Sequence, residues 1–167
     1  RKVIFYASDP SKEESQKYAT EKFLIDCFSS LNDFILVIKT HPEDTGRVTN
    51  LAFMDSSKPS NVFLIGDTQR GRKMVSENFL TFKDFDFFAA IESSEGFLTY
   101  SSSSILEALA LDKKTGIVDI FHNGYYDYLV DHKVSMRVKD EIDLNKFLTN
   151  QKLTPSEESL SYLGSKD

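Results

Sequence analysis

The segment Gly96–Leu111, "GFLTYSSSSILEALAL", joins a strand pattern directly to a helix pattern. Its first residues are apolar, β-branched or aromatic, which is typical of a strand, and "ILEALAL" has strong helix propensity. Between them stand four serines, Ser101–Ser104, although a two-residue turn would connect the two elements. A strand that leads into a helix is the repeating unit of parallel α/β sheets. The segment therefore predicts an α/β domain that carries a polar tract at the end of one strand.

The same alternation continues in both directions along the chain. Apolar runs predict five strands, with a weaker sixth candidate, at Lys2–Ala7, Phe34–Thr40, Asn61–Gly66, Gly96–Tyr100, Thr115–Ile120 and Lys133–Val138. Helical patterns lie between or after them, over 8–31, after the loop 41–44, and over 82–94, 105–111 and 141–150. This order predicts a doubly wound, Rossmann-like parallel sheet of five to six strands with helices on both faces.

The chain length fits one compact domain. With 167 residues, the chain is long enough to bury a core and too short for two full domains. We expect residues 1–153 to form the domain and residues 154–167 to form a tail or final helix. The sequence enters a strand pattern directly after Arg1, which suggests a segment cut from a longer protein.

Composition limits the classes of partner. The net charge of −6 argues against a nucleic-acid or membrane-surface binder, although a small anion can still bind locally. No apolar run reaches the roughly 18 residues that span a bilayer. The single cysteine, Cys27, cannot form an intrachain disulfide and is interpreted as a structural thiol. These features favour a cytoplasmic location, with peripheral attachment at the inner membrane face as an alternative.

Candidate binding residues follow the predicted strands. In doubly wound sheets, ligands bind beyond the carboxyl ends of the strands, where the direction of winding reverses. Those ends carry Ser8, His41 with Pro42, Gly66 and the serine tract. We therefore expect a binding site along this edge.

The serine tract suits an anion. The first turn of a helix leaves about four backbone N–H groups unpaired and carries a partial positive charge, which attracts phosphate. Hydroxyls of Ser102 and Ser103 could add donors. In the alternative, one serine caps the helix and the others form a polar turn.

Glu107 and His41 extend this hypothesis. Glu107 lies one turn into the helix, where its carboxylate could accept hydrogen bonds from ribose hydroxyls; a solvated glutamate is the alternative. His41 could donate an imidazole N–H to a phosphate and stabilise charge on a departing nucleotide. Its alternative is a loop histidine that binds a backbone carbonyl.

Other chemistry is less well supported. His122 and His132 do not form a metal-ligand set with His41, so no metal and no cofactor is expected. The basic residues Arg70, Arg72 and Lys73 could reach a diphosphate, but a solvated loop is favoured. The glycine motifs of dehydrogenases and P-loop enzymes are absent from the sequence.

Two segments resemble motifs of a known enzyme group. "ILVIKTHPED" is similar to the histidine-proline motif, and "AAIESSEGFLTYSSSSILEALALDKKTGIVDI" to the serine motif, of bacterial GT-B transferases that build surface polysaccharides. That group includes sialyltransferases, polysialyltransferases, Kdo transferases and teichoic-acid glycerophosphotransferases. UDP-N-acetylglucosamine 2-epimerase is similar in form.

The resemblance implies the carboxyl-terminal half of a GT-B enzyme. This half would bind a CMP- or UDP-linked sugar without metal, and a missing amino-terminal domain would bind the saccharide acceptor and carry the general base. His41 would be catalytic at the donor phosphate. The resemblance implies that the nucleotide is bound by Ser8, His41, Pro42, Gly66, Ser101, Ser102, Ser103, Ser104 and Glu107. The leading hypothesis is a donor-binding domain of an inverting glycosyltransferase; alternatives are an epimerase-like domain and a flavodoxin-like binding module without chemistry.

Overall fold

The protein is an α/β domain built on a single parallel sheet. The computed structural model describes residues 1–10, 13–66, 79–81, 86–150, 152–157 and 161. The strands within these ranges are β1 Lys2–Ala7, β2 Phe34–Lys39, β3 Val62–Gly66, β4 Phe79–Thr81, β5 Gly96–Thr99, β6 Lys114–Val118 and β7 Met136–Val138. The helices are α1 Glu14–Ser29, α2 Arg47–Met54, α3 Phe87–Ser93, α4 Ile105–Ala110, α5 Asp127–Asp131 and α6 Glu141–Thr149.

The strand order is β4-β3-β2-β1-β5-β6-β7, and every neighbouring pair is parallel. The chain therefore winds outward from β1 in one direction through β2, β3 and β4. It then returns to the other side of β1 and winds in the opposite direction through β5, β6 and β7. The two neighbours of the central strand are in register with it at Ala7, which pairs with Lys39 of β2 and Thr99 of β5.

The core lies in two layers, one on each face of the sheet. Along β1, Ile4 and Tyr6 belong to one hydrophobic cluster, whereas Phe5 and Ala7 belong to the other. Successive side chains of a strand point to opposite faces, so the two clusters cover opposite faces. Residues of α1, α2 and α6 complete the first cluster, and residues of α3, α4 and α5 complete the second. Helices on both faces confirm the predicted fold class.

Two short elements, β4 and α5, were not predicted from the sequence. With β4, the sheet has seven strands within the described ranges, where five to six were expected. Three residues are too few to show a period-two pattern, and the five residues of α5 are too few to show a helical one. The helix predicted over 82–94 is observed from Phe87, with Asp86 accepting a hydrogen bond from the Ala89 N–H at 3.0 Å; its residues 82–85 lie outside the described ranges.

Cys27 is half-buried against the first cluster, as expected for a structural thiol. Burial raises its pKa to about 11, well above the ordinary 9.0. Most of the predicted tail, residues 154–167, lies outside the described residues, and that assignment stays a prediction.

Close packing at the centre of the β5–β6 pair leaves no room for a side chain at Gly116. Gly116 lies opposite Leu98, and a Cβ atom added to Gly116 would lie 2.7 Å from Leu98 Cδ2 and 3.1 Å from the ring of Phe147. Real Cβ atoms do not approach other atoms so closely, because the contact lies well inside the van der Waals distance. The ring of Phe147 and the side chain of Leu98 thus occupy the space that a side chain at position 116 would need.

We expect Gly116→Ala to lower the free energy of unfolding by about 1–3 kcal/mol, since the extra methyl group forces Leu98 and Phe147 to move within a packed core. Urea unfolding followed by circular dichroism measures the change. Asn145→Ala, at an exposed position on the same helix as Phe147, is the control and should change stability by about 0.5 kcal/mol or less. An unchanged midpoint for Gly116→Ala would contradict the packing described.

Candidate functional site

The carboxyl ends of β1 and β5 define the point where winding reverses. Ser8 and Asp9 follow β1, and Tyr100 and the serine tract follow the adjacent β5. Ligands of doubly wound sheets bind in the crevice at such a point. The predicted serine tract therefore lies at the position that the fold favours for a ligand.

The serine tract is tied to the protein on both sides. Ser101 Oγ donates to Asp9 Oδ2 at 2.7 Å, and the Ser101 carbonyl accepts from the Tyr126 hydroxyl at 3.0 Å. The Ser102 N–H donates to Thr99 Oγ1 at 2.9 Å, and the Ser104 N–H donates to Ser102 Oγ at 3.3 Å. Ser101 is thus already engaged, whereas the Ser102 hydroxyl serves as an acceptor and keeps its own proton to donate.

Fewer backbone N–H groups are open here than the sequence analysis expected. The Ile105 N–H bonds the Ser102 carbonyl at 3.2 Å, and the Leu106 N–H bonds the Ser103 carbonyl at 2.9 Å, because the tract curls into a tight turn before α4. Ser103 is exposed, and within the described part of the chain no partner is recorded for its N–H or its hydroxyl. Among the described residues, the open donors of the tract therefore include the Ser103 N–H and the hydroxyls of Ser102, Ser103 and Ser104.

Glu107 stands in the first turn of α4 with one carboxylate oxygen unpaired. Its Oε2 atom is buried and has no hydrogen-bond partner among the described residues. A buried polar atom without a partner is uncommon and requires an explanation, of which a bound water or ion is one. Among the predicted site residues, Glu107 is the one with such an atom in the described part of the chain.

Ser8 and Gly66 are buried at strand ends. Ser8 is only 2% exposed; its hydroxyl donates inward to Glu21 Oε1 at 2.5 Å, and its N–H donates to the Lys39 carbonyl at 2.9 Å. Gly66 is buried at the end of β3, and the residues that follow it lie outside the described ranges. Their assignment to nucleotide binding stays a prediction, and both donors of Ser8 are already engaged.

His41 lies in the loop that follows β2, next to the end of β1. Its Nδ1 atom accepts a hydrogen bond from the Glu43 N–H at 3.2 Å, and its carbonyl accepts from the Asp44 N–H at 2.9 Å. A neutral imidazole whose Nδ1 is an acceptor carries its proton on Nε2. Pro42, between these residues, is exposed. The loop thus fixes the tautomer in which Nε2 can donate.

A buried ionic network lies beneath the loops after β1 and β2. Lys17 on α1 forms ion pairs with Asp44 and with Glu21, the latter at 3.8 Å from Nζ to Oε1, and its Nζ donates to the Asp9 carbonyl at 3.1 Å. Burial lowers the pKa of Lys17, and the neighbouring carboxylates offset part of this effect. Sequence reasoning missed these residues because a lysine and a glutamate on a charged helix look solvated when the sequence is read alone.

A second cluster shapes the edge beyond β5 and β6. Gln16 Oε1 accepts hydrogen bonds from the Tyr100 hydroxyl and from Asn123 Nδ2, both at 3.0 Å. Asp119 accepts from the Asn123 N–H at 2.7 Å and pairs with Arg137 at 2.7 Å. These bonds hold helix α1, the loops after β5 and β6, and strand β7 against one another.

The remaining candidates do not join the site as a group. His122 lies in the loop after β6 and His132 follows α5. In the described ranges, no three His, Cys, Asp or Glu side chains come together as a metal site. Arg70, Arg72 and Lys73 lie outside those ranges. No helix of the described residues is long and apolar enough to cross a membrane.

No protein-family model and no curated protein matches the sequence. Solved structures do match the fold. The glycosyltransferase of kitacinnamycin has a TM-score of 0.54 at 16% identity, and the match covers 97% of this chain and 38% of that one. The Staphylococcus aureus MnaA–UDP complex has a TM-score of 0.58 at 11% identity, with 90% and 37% covered.

A third structure is Methanocaldococcus jannaschii UDP-GlcNAc 2-epimerase in complex with UDP-GlcNAc and UDP. It has a TM-score of 0.55 at 11% identity, and the match covers 98% of this chain and 44% of that one. The chain therefore spans less than half the length of each of these structures. At such low identity the likeness defines a Rossmann-like α/β fold, shared with parts of glycosyltransferases and UDP-GlcNAc 2-epimerases.

The buried network predicts a pH-dependent effect at Glu21. Burial raises the pKa of this carboxyl above its ordinary 4.5, whereas Lys17 and Ser8 act in the opposite direction. Because the pKa is higher in the folded than in the unfolded state, the stability contributed by protonated Glu21 is complete below the unfolded pKa. It is lost as pH rises toward the folded pKa.

We expect Glu21→Gln, which resembles the protonated form, to gain free energy of unfolding relative to the wild type as the pH rises above the ordinary carboxyl pKa of 4.5. Urea titrations at several pH values measure the difference. Glu92→Gln, at an exposed position on α3, should show no such trend. A Glu21→Gln difference that is independent of pH would contradict the assignment.

Proposed function

We propose that this chain is the nucleotide-sugar-binding domain of a GT-B glycosyltransferase. The observation that carries the proposal is the composition of the reversal point between β1 and β5. There, open donors of Ser102 and Ser103 stand one helical turn from the unpaired carboxylate of Glu107. Donors for a phosphate next to an acceptor for hydroxyl groups match the chemistry of a nucleotide.

The phosphate would be held by neutral donors. Serine O–H and N–H groups can stabilise an anion without a full positive charge, which suits a protein with a net charge of −6. Glu107 would accept hydrogen bonds from the ribose. His41 Nε2–H would donate to the phosphate as negative charge accumulates on the departing nucleotide.

Two neighbours support a nucleotide rather than another anion. MnaA was solved with UDP, and the archaeal epimerase with UDP-GlcNAc and UDP. By analogy of fold, we infer a UDP- or CMP-linked sugar as donor for this chain. A second domain would bind the saccharide acceptor and carry the general base. We propose a metal-independent, inverting transfer in the synthesis of a bacterial surface polysaccharide, by a cytoplasmic or peripherally attached enzyme.

A nucleotide-sugar epimerase is the second candidate, and the likeness to the archaeal UDP-GlcNAc 2-epimerase favours it. An epimerase forms product without any acceptor. Incubation of the enzyme that carries this domain with UDP-GlcNAc alone, followed by product analysis, separates the two functions.

Nucleotide binding by the wild-type chain tests the proposal. A ligand that binds only the native state at 100 times its dissociation constant stabilises it by about 2.7 kcal/mol. For a domain of this size we expect the melting temperature to rise by about 5–10 °C with UDP or CMP. Ser103→Ala and Glu107→Gln should reduce the shift, whereas Ser93→Ala, on α3, should not. No shift with CMP, UMP, CDP or UDP would favour a binding module without nucleotide chemistry.

In the enzyme that carries this domain, we expect His41→Ala and the paired Ser102→Ala, Ser103→Ala change each to lower kcat about 10²- to 10³-fold. Loss of one preorganised donor at a developing charge has an effect of this size elsewhere. Steady-state kinetics with a nucleotide-sugar donor measure the loss, and circular dichroism checks that the variants fold. Wild-type kinetics in both variants would contradict the roles assigned here.

A further inference from the structure

We propose that Lys17 and Asp44 are positioning residues for His41 and link it to the serine tract. The inference rests on the proposed function for the role of His41 at a phosphate. The arrangement of the loops does not depend on that role.

Asp44 holds the His41 loop through three separate bonds. Its N–H donates to the His41 carbonyl at 2.9 Å, and its Oδ1 accepts from the Gly46 N–H at 3.0 Å. Its Oδ2 pairs with Lys17. Gly46, at φ +68°, immediately precedes α2. The main-chain N–H of Asp44 therefore closes the turn on His41, and its carboxylate ties that turn to Lys17 and to the start of the next helix.

Lys17 anchors this carboxylate from inside the protein. Its side chain is 5% exposed and that of Asp44 is 10% exposed. Water can scarcely replace either partner, so the pair is far less screened than a surface ion pair. An ammonium surrounded by Asp44, Glu21 and the Asp9 carbonyl has few alternative positions.

The same lysine reaches the serine tract. Its Nζ donates to the Asp9 carbonyl, and the Asp9 carboxylate accepts from Ser101 Oγ. A continuous path of contacts thus runs from His41 through Asp44, Lys17 and Asp9 to Ser101. The buried ammonium of Lys17 thus connects the loops after β1 and β2 directly, and the loop after β5 through Asp9.

This arrangement holds the His41 imidazole in one tautomer. The turn that Asp44 closes also brings the Glu43 N–H to His41 Nδ1, so the proton of the neutral ring stays on Nε2. When the Lys17–Asp44 pair is lost, the turn loosens and the Nδ1 acceptor bond weakens. His41 then samples both tautomers, only one of which presents Nε2–H.

Long-range ¹H–¹⁵N spectra of the three histidines test the arrangement directly. At pH 8 we expect wild-type His41 to show the Nε2–H tautomer, and Asp44→Asn and Asp44→Ala to show a mixture of tautomers. Asp44→Asn keeps an acceptor for the Gly46 N–H and removes only the ion pair with Lys17. It therefore remains informative if Asp44→Ala fails to fold. His122 and His132 serve as internal references. An unchanged His41 tautomer in both variants would overturn the proposal.

Glu14→Gln is the matched control for loss of charge. Glu14 lines the same cavity of about 180 Å³ as Lys17 and Asp44, but it pairs with Arg47. Its substitution should leave the His41 spectrum unchanged. A His41 change of equal size in Glu14→Gln would assign the effect to general electrostatics and overturn the proposal.

A double-mutant cycle then tests the link to nucleotide binding, with UDP or CMP, whichever binds the wild type more tightly, as the calorimetric probe. We expect Asp44→Asn to weaken binding about 3- to 10-fold in the wild type and to have no further effect in His41→Ala, since coupled residues are not additive. Equal losses in both backgrounds would overturn the positioning role. If neither nucleotide binds the wild type, the proposed function and the link to binding both fail, and the spectra still decide whether Asp44 sets the imidazole.

Discussion

The structure depends on the parallel pairing of β1 with β2 on one side and β5 on the other. This central strand is buried on both faces, so its side chains belong alternately to two cores. Because winding reverses at β1, the loops after β1, β2 and β5 emerge side by side at one edge. Ser8, His41 and the serine tract lie at this edge because of that placement.

Local contacts, rather than the overall charge, determine what this edge can bind. The chain has a net charge of −6, and the Asp9 and Glu107 carboxylates lie beside the serine tract. In the proposed function, a phosphate would be held by hydrogen bonds from neutral donors. The carboxylates would favour ligands that also offer hydroxyl donors. A nucleotide would meet both conditions, whereas a simple anion would meet only the first.

The buried Lys17 has a cost as well as an organising role. It faces the carboxylates of Glu21 and Asp44, and burial shifts the pKa of Lys17 downward and that of Glu21 upward. Both shifts mean that the folded state disfavours the charged forms relative to water. Networks of this kind are weak evidence for stability. They are more readily explained by the need to hold particular loops in one arrangement.

The sequence by itself determined the order of strands and helices, because apolar runs and turn residues are local signals. It also placed the serine tract and His41 at strand ends, although it missed β4 and α5, which are too short to show a period. Only the tertiary structure decided which ends are neighbours. It paired Ser101 with Asp9 across 92 residues, turned the Ser8 hydroxyl inward to Glu21, and left one oxygen of Glu107 unpaired. Such contacts join residues far apart in the chain, so no local pattern of residues encodes them.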